Sequence, residues 1–386
     1  MNIGVFGAKS KQNHRHVTVL NWNRTPFQNA ARMFKSFTLK ILTSAKHRPI
    51  FYTHRSKFRR ANDIMVLTTF SNKFIEPWQD AVDRTTFSPS PMGGPEYAST
   101  MKYSWNKTYI FQHGDLFMPF AKSRTKHFGI ISSNLYCGVR NNSLLGLESI
   151  DADSIRALKE LPEKCCIHLH VPEELYLPHK EIFESLYFYP LEKYPYYKIS
   201  LPDSFEEWYS RPGICRCNIR RALEYGVEVA FGGLELLETF YELFLCSFRR
   251  WKKMKWAKRP YEFKRFQRMF DLPGSRTKVA VAYYTGIPIA AAIFCHYRKI
   301  AGALNAGTDY EYQKIRPTNL LHAEIIRYLI YNGVAEYNLG GLMESGNLRQ
   351  FKKSLGASEH TSYLLCRHRF PRLKRFLRIL PCHRLA

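Results

Sequence analysis

The strongest patterning of apolar and polar positions lies late in the chain, from Ile300 to Ala357. It predicts a strand, a helix, a second strand ending in Gly340-Gly341, a glycine turn and a short helix carrying Phe351-Lys352-Lys353. Arg316-Pro317-Thr318-Asn319 starts the first helix, because proline at its first position lacks only an N–H that has no partner there, and Gly333 stops it. Upstream, Val279 to Cys295 is apolar but broken by Thr285-Gly286 and Pro288, which predicts two strands around a turn. Leu234 to Lys255 is a long helix with Leu237, Phe240, Tyr241, Phe244 and Phe248 on its buried side. Ahead of it the pattern gives a strand (Tyr197 to Leu201), two short helices (Ser204 to Tyr209 and Arg216 to Tyr225, the second capped by Gly226) and a strand (Val227 to Phe231). Pro190 to Tyr196, with two prolines and no period, reads as a linker. Before the linker stand a hairpin in Asn106 to Lys122 around His113-Gly114-Asp115, a short helix in Asp151 to Leu161 and a strand in Cys165 to Val171. Helices followed by antiparallel strands, then a helix and a further strand, make an α+β protein rather than a regular βαβ alternation.

Composition adds bounds. A chain of 386 residues, 45% hydrophobic and 15% aromatic, has the length for two domains and the apolar content for real cores, which excludes disorder throughout. The interrupted apolar run argues against a transmembrane helix. Nine cysteines with no CxxC pair argue for a reducing, cytoplasmic setting rather than a disulfide framework. The net charge of +26 is unevenly placed: Met1 to Asn62 holds 13 Lys and Arg and no acid, Arg249 to Arg259 holds seven, and the residues from Arg367 onward hold seven. These three patches account for the whole excess, so the remainder is near neutral. Each patch fits phosphates, lipid head groups or plain solvent equally well. Within the first, Asn29 to His47 places Ala30, Met33, Phe34, Phe37 and Ile41 on one helical face; an organellar transit segment shares this Arg-rich, acid-free character, and a poorly ordered extension is the preferred reading. In the tail, Leu373, Phe376, Leu377 and Leu380 oppose Lys374, Arg375 and Arg378, a face suited to a membrane surface or to the body of the chain.

Several chemistries can be weighed from spacing. The proline-primed helix exposes backbone N–H groups at Thr318 to Leu321, with Lys314 and Arg316 just before, an arrangement able to hold a phosphate. His168 and His170 share a face of one strand, but Cys166 is about 13 Å from His170, too far to join one ion; the two histidines alone could share one only with further ligands from elsewhere, and the preferred reading has no metal site. Cys295 and His296 are adjacent on a strand and face opposite ways, which excludes a thiolate pair, and no Gly-x-Ser-x-Gly elbow occurs.

The runs AGTDYEYQKIRPTNLLHAEIIRYLIYNGVAEYNLGG and GNLRQFKKSLGA, with RCNIRRALEYGVEV upstream, resemble the FemAB-like branch of the GNAT acyltransferase superfamily. A weaker likeness extends the resemblance to about Ile64 to Cys366. It implies two GNAT-like domains in tandem, 63–190 and 191–368, each a mixed, mostly antiparallel sheet flanked by helices, between a basic extension (1–62) and a basic amphipathic tail (369–386). It further implies transfer of an acyl or aminoacyl group from an acyl-CoA, carrier or aminoacyl-tRNA donor to an amine, with no metal, and points toward acceptors among cell-wall or surface-polysaccharide precursors. On this resemblance Arg316, Thr318, Asn319 and Leu320 serve the donor phosphates, Ala301 to Ala306 pairs with the donor's amides, and Phe351-Lys352 is the family's Phe-Lys, whose lysine steadies the oxyanion or the phosphate. Arg220, Arg221 and Asn338 stand on the substrate side. Asn338 replaces an Asp common in the family, and Leu355-Gly356 replaces Phe-Gly. For a general base the nearby candidates are Asp309, Glu311, His296 and Glu344, with Asp309 preferred because it closes the donor strand. The basic patches fit tRNA or the inner face of an anionic membrane. The rival reading is a non-catalytic GNAT-like scaffold that holds nucleic acid or membrane; nothing in the sequence points to an oligomeric state.

Overall fold

The structure, a computed structural model, describes residues 68–69, 72–85, 93–99, 108–127, 130–137, 143–147, 152–162, 166–253, 259–341 and 346–367. The N-terminal extension with Asn29 to His47, the tail with Leu373 to Leu380, the end of the Arg249 to Arg259 cluster near Lys255 and Lys258, and Glu344 lie outside the described residues.

In chain order the elements are β1 (Thr68–Thr69), α1 (Ile75–Arg84), α2 (Pro95–Ser99), β2 (Thr108–His113), β3 (Leu116–His127), β4 (Ile130–Cys137), α3 (Ala152–Arg156), β5 (Cys166–Pro172), α4 (Glu173–Tyr176) and α5 (Lys180–Ser185). The chain continues with β6 (Tyr189–Ser200), α6 (Phe205–Ser210), α7 (Arg216–Glu224), β7 (Val227–Gly232), α8 (Leu237–Lys253), α9 (Phe263–Phe270), β8 (Thr277–Tyr284), β9 (Ile287–His296), β10 (Ile300–Thr308), α10 (Pro317–Tyr331), β11 (Glu336–Gly341), α11 (Gly346–Lys353) and β12 (Ser358–Arg367). The architecture is α+β, and the strands form one sheet in the order β1-β2-β3-β4-β5-β12-β6-β11-β10-β9-β8-β7. Only β4 with β5 and β10 with β11 run parallel; every other neighbouring pair is antiparallel. The last described strand therefore returns to the middle of the sheet and ties the two halves together.

The expected linker Pro190 to Tyr196 is instead part of β6. There β6 pairs with β12 across Tyr189 to Lys198, while β11 reaches only Tyr196 to Ser200. Pro190 and Pro195 thus lie where β6 has a neighbour on one side alone, the position at which a residue without an N–H is tolerated. Alternation fails as a signal here because Tyr189 to Lys193 are all exposed.

Helices cover both faces. Helices α6, α7 and α10 bury Trp208, Ile219, Leu320, Leu321, Ile325, Ile326 and Leu329 against Tyr197, Ile199, Ala290, Ala292, Phe294 and Tyr337 of the sheet. On the opposite face Leu237, Phe240, Leu243 and Phe244 of α8 and Phe266 and Met269 of α9 cover Val279, Val281, Ala291 and Ile293. The α8 helix comes so close to β10 that a Cβ on Gly307 would overlap the backbone of Leu243 and Phe244. Among the described residues no helix is long and apolar enough to cross a membrane.

Candidate active site

The parallel pair β10–β11 holds for only three residues on each strand: Ile300, Ala301 and Gly302 lie opposite Glu336, Tyr337 and Asn338. Past that point β10 bulges between Ala303 and Asn305 and stays with β9 as far as Thr308, whereas β11 bulges between Asn338 and Gly340 and stays with β6 as far as Gly341. A bulge bends its own strand. Two bulges on adjacent strands, each following its outer neighbour, leave β10 and β11 without mutual ladder bonds beyond Gly302 and Asn338. The unpaired backbone of both strands at this opening can pair with an extended, amide-bearing ligand.

Helix α10 begins at the same end, after a short 3₁₀ turn over Tyr310–Ile315. Arg316 precedes it in the left-handed region (φ 59°, ψ 42°) and Pro317 occupies its first position. An arginine held there carries backbone strain that glycine would avoid. The helix start is fixed from two sides, and the strand end it leans on is held from a third. Thr318 Oγ1 lies 3.2 Å from Thr308 Oγ1 at the end of β10. Asn319 Nδ2 donates to Cys215 Sγ at the start of α7, 3.1 Å away. Ser247 of α8 accepts from the Thr308 N–H (2.8 Å) and donates to its carbonyl (3.2 Å). One turn further along α8, the Arg250 guanidinium lies 4.8 Å from the Tyr310 ring centroid, and its Nε is buried with no hydrogen-bond partner among the described residues. The basic end of α8, with Arg249, Lys252 and Lys253, therefore adjoins the positive end of the α10 dipole, and the two favour an anion together.

Across the split, α11 brings Lys352 to the end of β11. Its side chain is only 5% exposed, and Nζ donates to the carbonyls of Gly340 (2.8 Å) and Gly341 (2.7 Å) while lying 5.5 Å from the Tyr197 ring centroid. Burial pulls its pKa down to about 8. An ammonium has three donors, so one N–H remains after the two carbonyls are served. His322 of α10 is fully enclosed nearby, with the Tyr337 hydroxyl 3.3 Å from Nδ1 and the Phe351 ring edge-on at 5.5 Å. Burial, and then the charge of Lys352, push its pKa down to about 4, so it is a neutral imidazole at pH 7. Burial also pushes the Tyr337 hydroxyl far above its ordinary value. The Tyr197 hydroxyl donates to Glu359 of β12.

Of the expected residues, Arg316, Thr318 and Asn319, the donor side, sit at the start of α10, and Phe351 and Lys352, expected as catalytic, sit on α11 with Lys352 at the end of β11. Of the N–H groups expected to hold phosphate, that of Asn319 already donates to the Arg316 carbonyl (3.1 Å), and the Leu320 side chain is buried in the core. Asp309 caps the 3₁₀ turn, one carboxylate oxygen accepting from the Glu311 N–H at 3.0 Å. Asn338 is buried and accepts from the Gly340 N–H (2.8 Å), which secures the β11 bulge. Arg220 and Arg221 are exposed on α7. His296 is set apart from the helix start: it pairs with Ala301 at the beginning of β10 and touches Tyr328, ten residues or about 15 Å along α10 from Thr318. Reading by pattern missed His322, Tyr197 and Glu359. The signal for His322 was a polar residue inside the apolar stripe of α10; Tyr197 and Glu359 meet only through the β6–β12 register.

Residues 213–353 match the family described as an acetyltransferase (GNAT) domain. No curated protein matches the chain in sequence. Among solved structures, FemX superposes with a TM-score of 0.59 at 12% identity, over 81% of this chain and 99% of its own. A conserved protein of unknown function from Bacteroides thetaiotaomicron gives 0.56 at 11% identity, over 78% and 99%. The C-terminal domain of a putative lysylphosphatidylglycerol synthetase from Agrobacterium fabrum gives 0.52 at 12% identity, over 82% and 100%. The chain thus carries a GNAT-type domain. Its fold as a whole is similar to that of FemX.

Proposed function

We propose that this protein is an N-acyltransferase that moves an acyl or aminoacyl group from an activated donor to an amine. The observation that carries this reading is the split between β10 and β11, flanked by the start of α10 on one side and Lys352 on the other. In such a reaction a neutral amine attacks a thioester or ester, and the carbonyl oxygen gains negative charge as the tetrahedral state forms. A preorganised donor aimed at that oxygen lowers the barrier, and the remaining N–H of Lys352 supplies it beside the unpaired strand edges that hold the donor chain. Thr318 and Arg316 meet the donor's phosphates, with Arg250 supporting them from α8. Arg220 and Arg221, on the neighbouring helix, lie on the route of a longer polyanionic donor.

Two donor classes fit, an acyl-CoA and an aminoacyl-tRNA. The basic end of α8 favours a polyanion, and one neighbour in fold, the C-terminal domain of a putative lysylphosphatidylglycerol synthetase, is named for an aminoacyl group and an anionic lipid. Together with the likeness to FemX, this supports an acceptor at the cell envelope and a protein working at the inner membrane face. A thermal-shift screen of acetyl-CoA, longer acyl-CoAs, free CoA and aminoacyl-tRNA tests the reading, since a ligand bound only by the native state raises its melting temperature. At a ligand concentration about a hundred times Kd the stabilisation is about 2.7 kcal/mol. At least one activated donor should stabilise the chain, and the shift should shrink in Thr318→Pro. Absence of any shift across the donors would overturn the assignment.

A further inference from the structure

Where β11 parts from β10, one side chain shapes its backbone. Asn338 is the last residue of β11 level with β10, and its Oδ1 accepts from the Gly340 N–H, two residues on, at 2.8 Å. This bond spans the bulge between Asn338 and Gly340, with Gly340 in the left-handed region (φ 71°) that glycine enters without strain. Asn338 is buried, so water does not compete for the bond.

The bulge has a consequence for the carbonyls that follow it. Along a regular strand successive carbonyls point to opposite neighbours, so two in a row cannot serve one cation. Here the carbonyls of Gly340 and Gly341 converge on a single atom, Lys352 Nζ, at 2.8 and 2.7 Å. Among the described residues these two oxygens are its only hydrogen-bond partners. The groups around the enclosure add no negative charge in contact with Nζ. His322 of α10 is neutral, and the Tyr197 and Tyr337 hydroxyls of β6 and β11 stay protonated. Glu359 of β12 accepts from the Tyr197 hydroxyl, which Arg349 of α11 also approaches. A carboxylate at position 338 would accept the same Gly340 N–H but bring a charge to the bulge; an amide does not.

We propose that Asn338 is a positioning residue for Lys352: it holds the β11 bulge so that the Gly340 and Gly341 carbonyls converge on Nζ and turn its third N–H toward the split, and as an amide it leaves the ammonium without a counter-charge. This gives Asn338 a part other than contact with substrate. The proposal rests on the acyltransferase reading for what Lys352 then does, but the hold on Nζ is measured without any donor.

The NMR resonance of Lys352 Nζ, followed against pH in the full chain labelled with ¹⁵N-lysine and identified by its loss in Lys352→Met, tests the proposal. The wild type should titrate at about pH 8. Asn338→Asp keeps an acceptor for Gly340 and should raise the midpoint by about one pH unit through its charge. Asn338→Leu removes the acceptor, and its Nζ protons should exchange with water at least about tenfold faster, whereas those of Asn338→Asp stay protected. If the leucine variant does not fold, the aspartate variant carries the test alone. An unmoved midpoint in Asn338→Asp, or unchanged exchange in a folded Asn338→Leu, would overturn the proposal. The pH profile of single-turnover acyl release should move with the Nζ midpoint in Asn338→Asp; a rate lowered equally at every pH would reduce Asn338 to a structural residue and also overturn it. If Nζ behaves as expected while the wild type releases no acyl group from any donor it binds, the acyltransferase reading fails and the hold on Lys352 remains.

Discussion

Lys352 is a charged group placed where water barely reaches, held by two backbone carbonyls rather than by a carboxylate. His322 shares its enclosure and its pKa is also pulled down, by burial first and then by the charge of Lys352, so it stays neutral. The consequence for stability follows from linkage. The folded pKa of about 4 lies below the ordinary 6.5, so between these values the unfolded chain binds more protons than the native one, and stability falls as pH falls through that window. From pH 7 to pH 5 this site alone should remove about 2 kcal/mol, a loss absent in His322→Gln. Urea unfolding of both proteins at the two pH values measures it; an equal acid sensitivity would contradict the burial of an uncharged imidazole. At this scale the sequence was legible where chemistry is local. Phe351-Lys352 and the Arg316-Pro317-Thr318 start were identifiable by motif and helix rules, and both line the split. Asp309 closes the donor strand, the position that suggests a base, and there its carboxylate also accepts from the Glu311 N–H as the cap of the 3₁₀ turn. Its role depended on a neighbouring N–H that the spacing does not reveal.

At the scale of elements, the proposed donor side depends on α8 lying hard against β10. Gly307 permits the approach, and Ser247 serves the backbone of Thr308 where β10 leaves the ladder. Gly307→Val would force the helix outward and should cost about 1–3 kcal/mol or more by overpacking, with a parallel loss of donor affinity as Thr308 and Thr318 shift. Chemical denaturation and donor titration read the two effects; a variant of wild-type stability would show that the contact is looser than the structure indicates. Most elements could be located from periodicity: β8, β9, α7, α8 and α10 fall close to their expected spans, because each presents a continuous apolar face to one core. The first half of β6 could not. Its residues face solvent on one side of a one-neighbour strand, so neither alternation nor apolar runs mark it, and its prolines read as punctuation.

For the whole molecule, the decisive feature is that the chain's last described strand enters between β5 and β6, which joins the two halves in a single sheet. Sequence order gives no hint of this, since the pairing partners of β12 lie about 160 to 200 residues earlier. A second tie is Glu96 of α2, buried completely, which accepts from Gln79 Nε2 (2.8 Å), from the Arg276 N–H (3.1 Å) and from the Tyr297 hydroxyl. Glu96→Ala strands three donors at the junction of the halves and should cost about 3 kcal/mol or more, visible as a lowered urea midpoint; a neutral effect would mean the halves are joined by the sheet alone. The central claim is that this joined sheet, opened between β10 and β11, performs acyl transfer with Lys352 at the carbonyl. Single-turnover acyl release, measured on whichever activated donor stabilises the chain most, compares the wild type with Lys352→Met, which keeps an unbranched stem one atom shorter and removes the charge. A rate lower by about 10²- to 10³-fold, with donor affinity and fold retained, is the result this account requires; equal rates would contradict it.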